Sequence, residues 1–329
     1  MSETNVLEVK DLKTHFFTGD GVIPSVDGVS FQLKKGEITA IVGESGSGKS
    51  VTSYSIMGLL DKPGEIVDGQ IIFDGEDLVK YSEKKMQKIR GNKISMIFQE
   101  PLTSLNPVFK IGKQIDEAIL QHQNVTKVEA KQKSIQMLKK VGIPRGEEIY
   151  KTYPHLLSGG MRQRVMIAIA LACNPELLIA DEPTTALDVT IQSQILNILK
   201  DIKNDIGTSI LLITHDLGVV AEVADKVLVM YAGKVVEDTD VYSLFNNPKH
   251  PYTKGLLSST PKLNEEKQRL GSIKGTVPKH SEMIQGCKFA SRCPYVMPRC
   301  KEIAPELLTT EDNSKVRCLL FDEEEDING

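Results

Sequence analysis

Eight consecutive residues, Gly43-Glu44-Ser45-Gly46-Ser47-Gly48-Lys49-Ser50, hold the densest chemistry in the chain. The glycines let the backbone curl until its amides converge on an anion, and a following helix presents its positive end to the same charge. Lys49 stands where a phosphate-loop lysine bridges β- and γ-phosphates, and Ser50 where a hydroxyl ligates Mg²⁺. A second run, Leu177-Leu178-Ile179-Ala180-Asp181-Glu182, ends an apolar segment in two acids. Asp181 is suited to the Mg²⁺ water shell, and Glu182, one residue on, to polarising an attacking water as a general base. Together the two runs imply a nucleoside triphosphatase.

Cysteine is the other chemistry-bearing residue. Cys287, Cys293, Cys300 and Cys318 crowd toward the end of the chain, separated by five, six and seventeen residues. These gaps fit neither the common zinc knuckles nor the ferredoxin runs. Four soft thiolate ligands leave the metal open, and four free thiols or two disulfides stand as alternatives. Cys173 falls on an expected helix face and reads as a small core residue.

These groups need elements to position them. Ile38–Val42 reads as a strand running into the glycine-rich turn, and Val51–Leu60 as the helix after it. Gln70–Phe73, Ile94–Phe98, Leu177–Ala180 and Ser209–Thr214 read as further strands. Lys127–Val141 sets Val128, Ile135, Leu138 and Val141 on one helical face, and Ile191, Ile195, Ile198, Leu199 and Ile202 form another apolar stripe. Strand–helix alternation implies an α/β fold with a mostly parallel sheet and ligands at the carboxyl ends of its strands. From about Asn246 onward prolines interrupt any period, and the run Asp322–Asp326 is an acidic tail without an assigned role.

Composition sets the frame. Over 329 residues, 40 Lys and Arg against 44 Asp and Glu give a net charge of −4, with 40% apolar and 26% charged residues. That is an ordinary globular balance with no general pull toward nucleic acid. The uncharged stretches Ser50–Leu60 and Val165–Pro175 fall short of the roughly 18 residues of a membrane span. The first ten residues lack the pattern of a secretion signal. The length suggests two domains, or one large domain with an appendage.

Between the two nucleotide runs lies Leu157-Ser158-Gly159-Gly160-Met161. Here the sequence resembles the ATP-binding cassette (ABC) family, whose signature is this Leu-Ser-Gly-Gly element. Other family elements follow in order: Gln99 after a strand, Ala186-Leu187-Asp188 after the acids, and His215 after Ser209–Thr214. The resemblance implies an ABC-type P-loop NTPase with a mixed-sheet core and a helical subdomain at about 100–170. It implies ATP and Mg²⁺ as cofactors. Catalysis would fall to Glu182, His215 and Gln99, with Ser50, Gln99 and Asp181 around the metal. Nucleotide contacts would come from Gly43 to Ser50 and from Ser158, Gly159, Gly160 and Asp188 across a cassette dimer. Phe16, with Phe17 beside it, is the choice for the aromatic that stacks on adenine. Met161 departs from the usual glutamine of the signature, leaving its backbone amides unaffected.

His250-Pro251-Tyr252-Thr253 and Gly286-Cys287-Lys288-Phe289-Ala290-Ser291-Arg292-Cys293-Pro294 resemble the carboxyl-terminal extension of ATPase subunits from bacterial dipeptide and oligopeptide importers. The resemblance suggests a cassette over 1–258 and a cysteine-containing extension over 259–329 that holds a 4Fe–4S cluster. It further implies a second, related ATPase subunit, two transmembrane permease subunits, an extracytoplasmic peptide-binding protein, no nucleic acid, and a peripheral place on the cytoplasmic side of the cell membrane. Import of nickel or another small solute is the alternative, and a non-transport ABC ATPase a more distant one.

Overall fold

The computed structural model describes residues 4–19, 21–100, 104–185, 187–259, 273–278 and 284–322. In chain order the elements are β1 (Asn5–Thr18), β2 (Gly21–Lys34), β3 (Ile38–Val42), α1 (Lys49–Met57), β4 (Gly64–Phe73), β5 (Glu76–Asp77), α2 (Glu83–Ile89) and β6 (Ile94–Ile97). Four helices follow, α3 (Ile111–His122), α4 (Lys127–Lys140), α5 (Gly146–Tyr150) and α6 (Gly159–Leu171). Then come β7 (Leu177–Asp181), α7 (Val189–Ile206), β8 (Ser209–Thr214), α8 (Leu217–Val223), β9 (Lys226–Tyr231), β10 (Lys234–Asp240), α9 (Val241–Asn246) and α10 (Pro251–Ser258). The short strands β11 (Leu308–Thr309) and β12 (Lys315–Val316) come last. The residues group into two compact units, each assembled from separate stretches of chain.

The first unit comprises Met1–Leu7, Gln32–Ile38 and Phe73–Ile213. Its strands β6, β7 and β8 run parallel, with Ile94 opposite Leu177 and Leu177 opposite Ser209. Every residue of β7 and β8 is buried, as expected of parallel strands covered on both faces. Each fully buried leucine or isoleucine contributes on the order of 1.5–3 kcal/mol. β7 delivers Asp181, itself fully buried, to its carboxyl end. The helices add a stripe of Ile111, Ile115 and Ile119 on α3 and of Ala130, Ser134 and Leu138 on α4. A reciprocal capping box between Thr126 and Glu129 starts α4. Val128, expected on the buried face of this helix, is exposed. The buried stripe begins at Ala130, and two residues correspond to about 200° of rotation, which turns Val128 to the far side. Ser134 takes the inward position because its hydroxyl donates to Asp116 Oδ1 at 2.6 Å.

The second unit comprises Glu8–Phe31, Thr39–Ile72 and Thr214–Gly329. It holds β2, β1 and β4 as neighbours and a second run of strands in the order β11-β12-β10-β9-β3. β3 and β9 pair in parallel, from Thr39 opposite Lys226 to Val42 opposite Val229. β9 and β10 form a hairpin closed by Ala232 (φ 48°) and Gly233 (φ 81°). Two positive φ values give the turn whose twist matches the strands. The carboxyl-terminal segment joins this unit through sheet pairing: Glu237 faces Val316 and Asp238 faces Lys315.

Several elements differ from the sequence-based expectation. β4 begins at Gly64, six residues before the expected Gln70, and the long strands β1 and β2 are not among the expected elements. The second half of β2 does alternate, with Val29, Phe31 and Leu33 buried and Ser30, Gln32 and Lys34 exposed; in β1 the alternation of Leu7 to Lys10 is broken at Asp11, whose φ is 45°. Cys173 lies just beyond α6 rather than on it; it is half-buried, and its thiol faces the Ala118 carbonyl at 3.6 Å. Its pKa is raised by burial.

Candidate functional site

The phosphate loop belongs to the second unit. Gly48, at φ 97°, caps α1, and a Cβ there would sit 2.4 Å from the Ser25 carbonyl oxygen. A side chain at this position would be both strained and blocked, so the turn into α1 requires glycine. The loop rests on the β9–β10 hairpin, where the Gly233 amide donates to the Ser47 carbonyl at 3.0 Å. Lys49 is buried, and its ammonium donates to the carbonyls of Gly43 (2.8 Å) and Glu44 (3.0 Å). The backbone thus holds the cation at the loop itself. Ser50 follows in the first turn of α1, half-buried.

In the same unit Phe16 packs against the backbone at Gly64, where a Cβ would lie 2.8 Å from the Phe16 ring. Phe17 is 45% exposed, and its amide donates to the Pro63 carbonyl. His215 is exposed directly after β8, and Asp216 beside it caps α8 by accepting from the Gly218 amide at 2.8 Å.

The first unit gathers the acids and the glutamine. Glu182 leaves β7 at φ 47°, an unusual conformation for a residue with a side chain, and its amide donates to the Ile213 carbonyl at 2.8 Å. Two donors meet on Glu182 Oε2: Gln99 Nε2 at 2.9 Å and Thr185 Oγ1 at 2.9 Å. The structure therefore brings together Gln99 and Glu182, which are 83 residues apart in sequence. A strained backbone with two side-chain donors fixes where this carboxylate points.

Leu157 is buried while Ser158 and Gly159 are exposed at the start of α6. The Ser158 hydroxyl accepts from the Met161 amide at 3.4 Å, an N-cap. The following amides remain directed out of the helix end, where an anion is favoured. Asp188 plays the same capping role for α7, accepting from the Ile191 amide at 3.0 Å. Leu187 is described; Ala186, expected in the same loop, lies outside the described residues.

Sequence reasoning missed several residues here. Gln163, buried on α6, donates to the Pro183 carbonyl at 2.7 Å and ties the signature helix to the turn after Glu182. Thr185 holds the Glu182 carboxylate. Tyr252 and Arg292 reach the phosphate loop from the carboxyl-terminal segment. The spacing of Thr185 and Gln163 offered a weak hint; sequence distance alone hid the other two.

The four clustered cysteines are free thiols, which removes the disulfide alternative. Burial raises the pKa of Cys287 and Cys293 and pushes Cys318 up to about 11. Backbone amides face the sulfurs: Phe289 and Ala290 toward Cys287, Tyr295 toward Cys293 at 3.4 Å, Met297 toward Cys300 at 3.5 Å, and Leu320 toward Cys318. Cys318 also feels the charges of Cys287, Cys293 and Cys300. Among the described residues, however, no group of three or more His, Cys, Asp or Glu stands in an arrangement that could hold a metal ion. No helix of the described residues is long and apolar enough to cross a membrane.

Comparison with known proteins agrees with this architecture. Residues 26–185 match the family "ABC transporter". The solved dimer of the ATP-binding cassette MJ0796, in a post-hydrolysis state with ADP and Pi, superposes with a TM-score of 0.65 at 27% identity, covering 71% of this chain and 98% of that one. CbiO1 from Clostridium perfringens, part of the ABC transporter complex cbiONQ, superposes with a TM-score of 0.64 at 30% identity over 74% of this chain and 92% of that one. The chain is therefore an ABC-family ATPase with the cassette fold.

Its closer kinship is narrower. Residues 236–300, beginning within β10, match "Oligopeptide/dipeptide transporter, C-terminal region". The oligopeptide transport ATP-binding protein AppD of Bacillus subtilis is 57% identical over 98% of both chains. The dipeptide transport ATP-binding protein DppD of Escherichia coli is 48% identical over 95% of this chain and 96% of that one. The chain belongs to the family of oligopeptide and dipeptide transport ATP-binding proteins.

Proposed function

We propose that this chain hydrolyses ATP to drive uptake of di- or oligopeptides through a membrane permease. The observation that carries the reading is full-length similarity to AppD and DppD, which includes the carboxyl-terminal region and not the cassette alone. We read residues 1–258 as the cassette and 259–329 as the extension. The partners in this reading are a second, related ATPase subunit, two transmembrane permease subunits and an extracytoplasmic peptide-binding protein. The chain lies peripherally on the cytoplasmic side of the membrane.

Hydrolysis needs little covalent help from the protein; it needs position and charge. Lys49 moves from the Gly43 and Glu44 carbonyls onto the β- and γ-phosphates, exchanging two backbone acceptors for anionic ones. Ser50, Asp181 and Gln99 supply hard oxygen donors, the chemistry that suits Mg²⁺. Bound there, Mg²⁺ would neutralise charge building on the transferring phosphoryl. Glu182 orients and deprotonates the attacking water, its direction held by Gln99 and Thr185. His215 is read as the switch residue that acts on the γ-phosphate. Exposed Ser158 and Gly159, with half-buried Gly160, present the α6 amides to nucleotide held by the other cassette. Phe16 stacks on adenine.

The cysteines supply the donor type of a thiolate-held centre, and backbone amides turn toward their sulfurs, but as arranged in the described residues they do not form a metal-holding group. Cys287, Cys293, Cys300 and Cys318 would hold the 4Fe–4S cluster, which would supply folding free energy to a segment with a small core of Ala290, Cys300 and Leu319.

Phosphate release and labelled-peptide uptake, measured together in vesicles carrying the assembled complex, test the proposal. Peptide-stimulated turnover with uptake is the expected result. Stimulation by nickel alone, or turnover indifferent to the permease, would reject peptide import.

A further inference from the structure

We propose that Arg292 is a positioning residue for the phosphate loop, neutralising and holding Glu44 so that the carboxyl-terminal segment sets the affinity for ATP. This rests on the reading of Gly43 to Ser50 as the triphosphate site. Arg292 grips Glu44 through both ends of its fork: Nη1 donates to Oε2 at 2.7 Å and Nη2 to Oε1 at 3.0 Å. Its side chain is only 5% exposed, and Glu44's is 29% exposed. Bidentate pairing fixes direction as well as charge.

The guanidinium is itself anchored. Nε donates to the Lys274 carbonyl at 3.0 Å and Nη2 to the Gly275 carbonyl at 3.1 Å. A second contact reaches the same loop residue: the Glu44 amide donates to the Tyr252 hydroxyl at 2.8 Å. The Glu44 carbonyl in turn accepts from Lys49 Nζ and from the Ser47 amide. Every polar group of Glu44 is thus engaged, two of them by residues outside the cassette strands and loop.

A carboxylate in a loop that must accept a polyphosphate is an electrostatic liability unless paired. Released from Arg292, Glu44 would place a negative charge near the phosphates in a partly desolvated site, where repulsion is poorly screened. Arg292 lies between Ser291 and Cys293, and its neighbour Phe289 packs edge-on to Tyr231 and Tyr252 with centroids 5.2 and 5.4 Å apart. The clamp is therefore seated on a packed aromatic group rather than on a loose side chain.

The test measures ATP Kd for the full chain by displacement of a fluorescent nucleotide, with circular dichroism melting alongside. Arg292→Gln should weaken ATP binding about tenfold, within the range of site-to-site couplings. In a Glu44→Gln background, adding Arg292→Gln should change the affinity by less than about threefold relative to Glu44→Gln alone, because no uncompensated charge is then created. Unchanged affinity in Arg292→Gln would overturn the proposal. So would a further loss of about tenfold when Arg292→Gln is added to Glu44→Gln, since lost packing would act whether or not the carboxylate is present. If Arg292→Gln does not fold, Arg292→Lys, which keeps the charge and loses the fork, should weaken binding about threefold; unchanged affinity there overturns the clamp. Lys49→Ala separates the two layers: parent-like ATP binding in that variant would mean the reading of the phosphate loop has failed.

Discussion

Replacing Glu182 by Gln tests the chemistry most directly. In the structure Glu182 Oε2 accepts from Gln99 Nε2 and Thr185 Oγ1, each at 2.9 Å. A glutamine oxygen can keep both bonds, but each drops from a charged to a neutral acceptor, a loss of about 1 kcal/mol per bond. The predicted stability change is therefore about 2 kcal/mol, a shift of roughly 4–8 °C in Tm for a domain of this size class. The backbone cost of φ 47° is common to both side chains and cancels. Catalysis changes far more, because an amide cannot take a proton from water. A general base contributes about 10²–10⁴-fold, so turnover should fall by that factor, or about 3–5 kcal/mol of barrier. ATP affinity should hold within about threefold, since Glu182 acts on water and not on the bound phosphates. Single-turnover phosphate release, read beside nucleotide binding and dimer formation by light scattering, separates the effects. The variant is expected to collect as an ATP-filled dimer. Turnover above about a tenth of the parent's would defeat the general-base assignment.

Other consequences follow from the same geometry. Lys49→Ala should abolish measurable ATP binding while leaving the melting profile close to the parent's, checked by fluorescent-nucleotide titration; retained binding would contradict its role. His250 is buried, its Nδ1 accepting from the Tyr252 amide at 3.0 Å, and burial lowers its pKa from 6.5 to about 3. The unfolded chain takes up that proton first, so stability should be complete above about pH 6.5 and decline as pH falls toward 3. His250→Gln should flatten the pH dependence of Tm in that window, and an unchanged slope would exclude this residue as its source. Ser158→Arg should suppress hydrolysis in an assay diluted through the dimerisation range without altering ATP binding to single chains; full activity would argue against a shared site. Anaerobically prepared protein should contain roughly four irons per chain with charge-transfer absorbance, reduced in Cys318→Ser; zinc in place of iron would correct the metal.

Much of the nucleotide chemistry was legible from local sequence. The phosphate loop needs small residues in a short run between a strand and a helix, so Gly43 to Ser50 announce themselves without a partner. Buried parallel strands are apolar on both faces, and for that reason Ile38–Val42, Leu177–Asp181 and Ser209–Thr214 could be placed closely. The spacing of Leu157 to Gly160, Asp188 and His215 added order along the chain, and a recognisable family with it. The alternation of Val29, Phe31 and Leu33 with Ser30, Gln32 and Lys34 is a legible strand signal that the expected elements omit, whereas β1 breaks its alternation at Asp11. Val128 was misplaced because one apolar residue does not fix where a helical stripe is centred.

What tertiary structure alone decided is which distant groups meet. Gln99 reaches Glu182 across 83 positions, and Arg292 reaches Glu44 across 248. Nothing in residue type or period encodes such pairs, because they depend on how strands stack and where a late segment folds back. The carboxyl-terminal residues joined β10 through backbone hydrogen bonds, which any sequence of suitable shape can make. Local sequence therefore specified the tools of phosphate chemistry, while packing specified which side chains hold those tools in place.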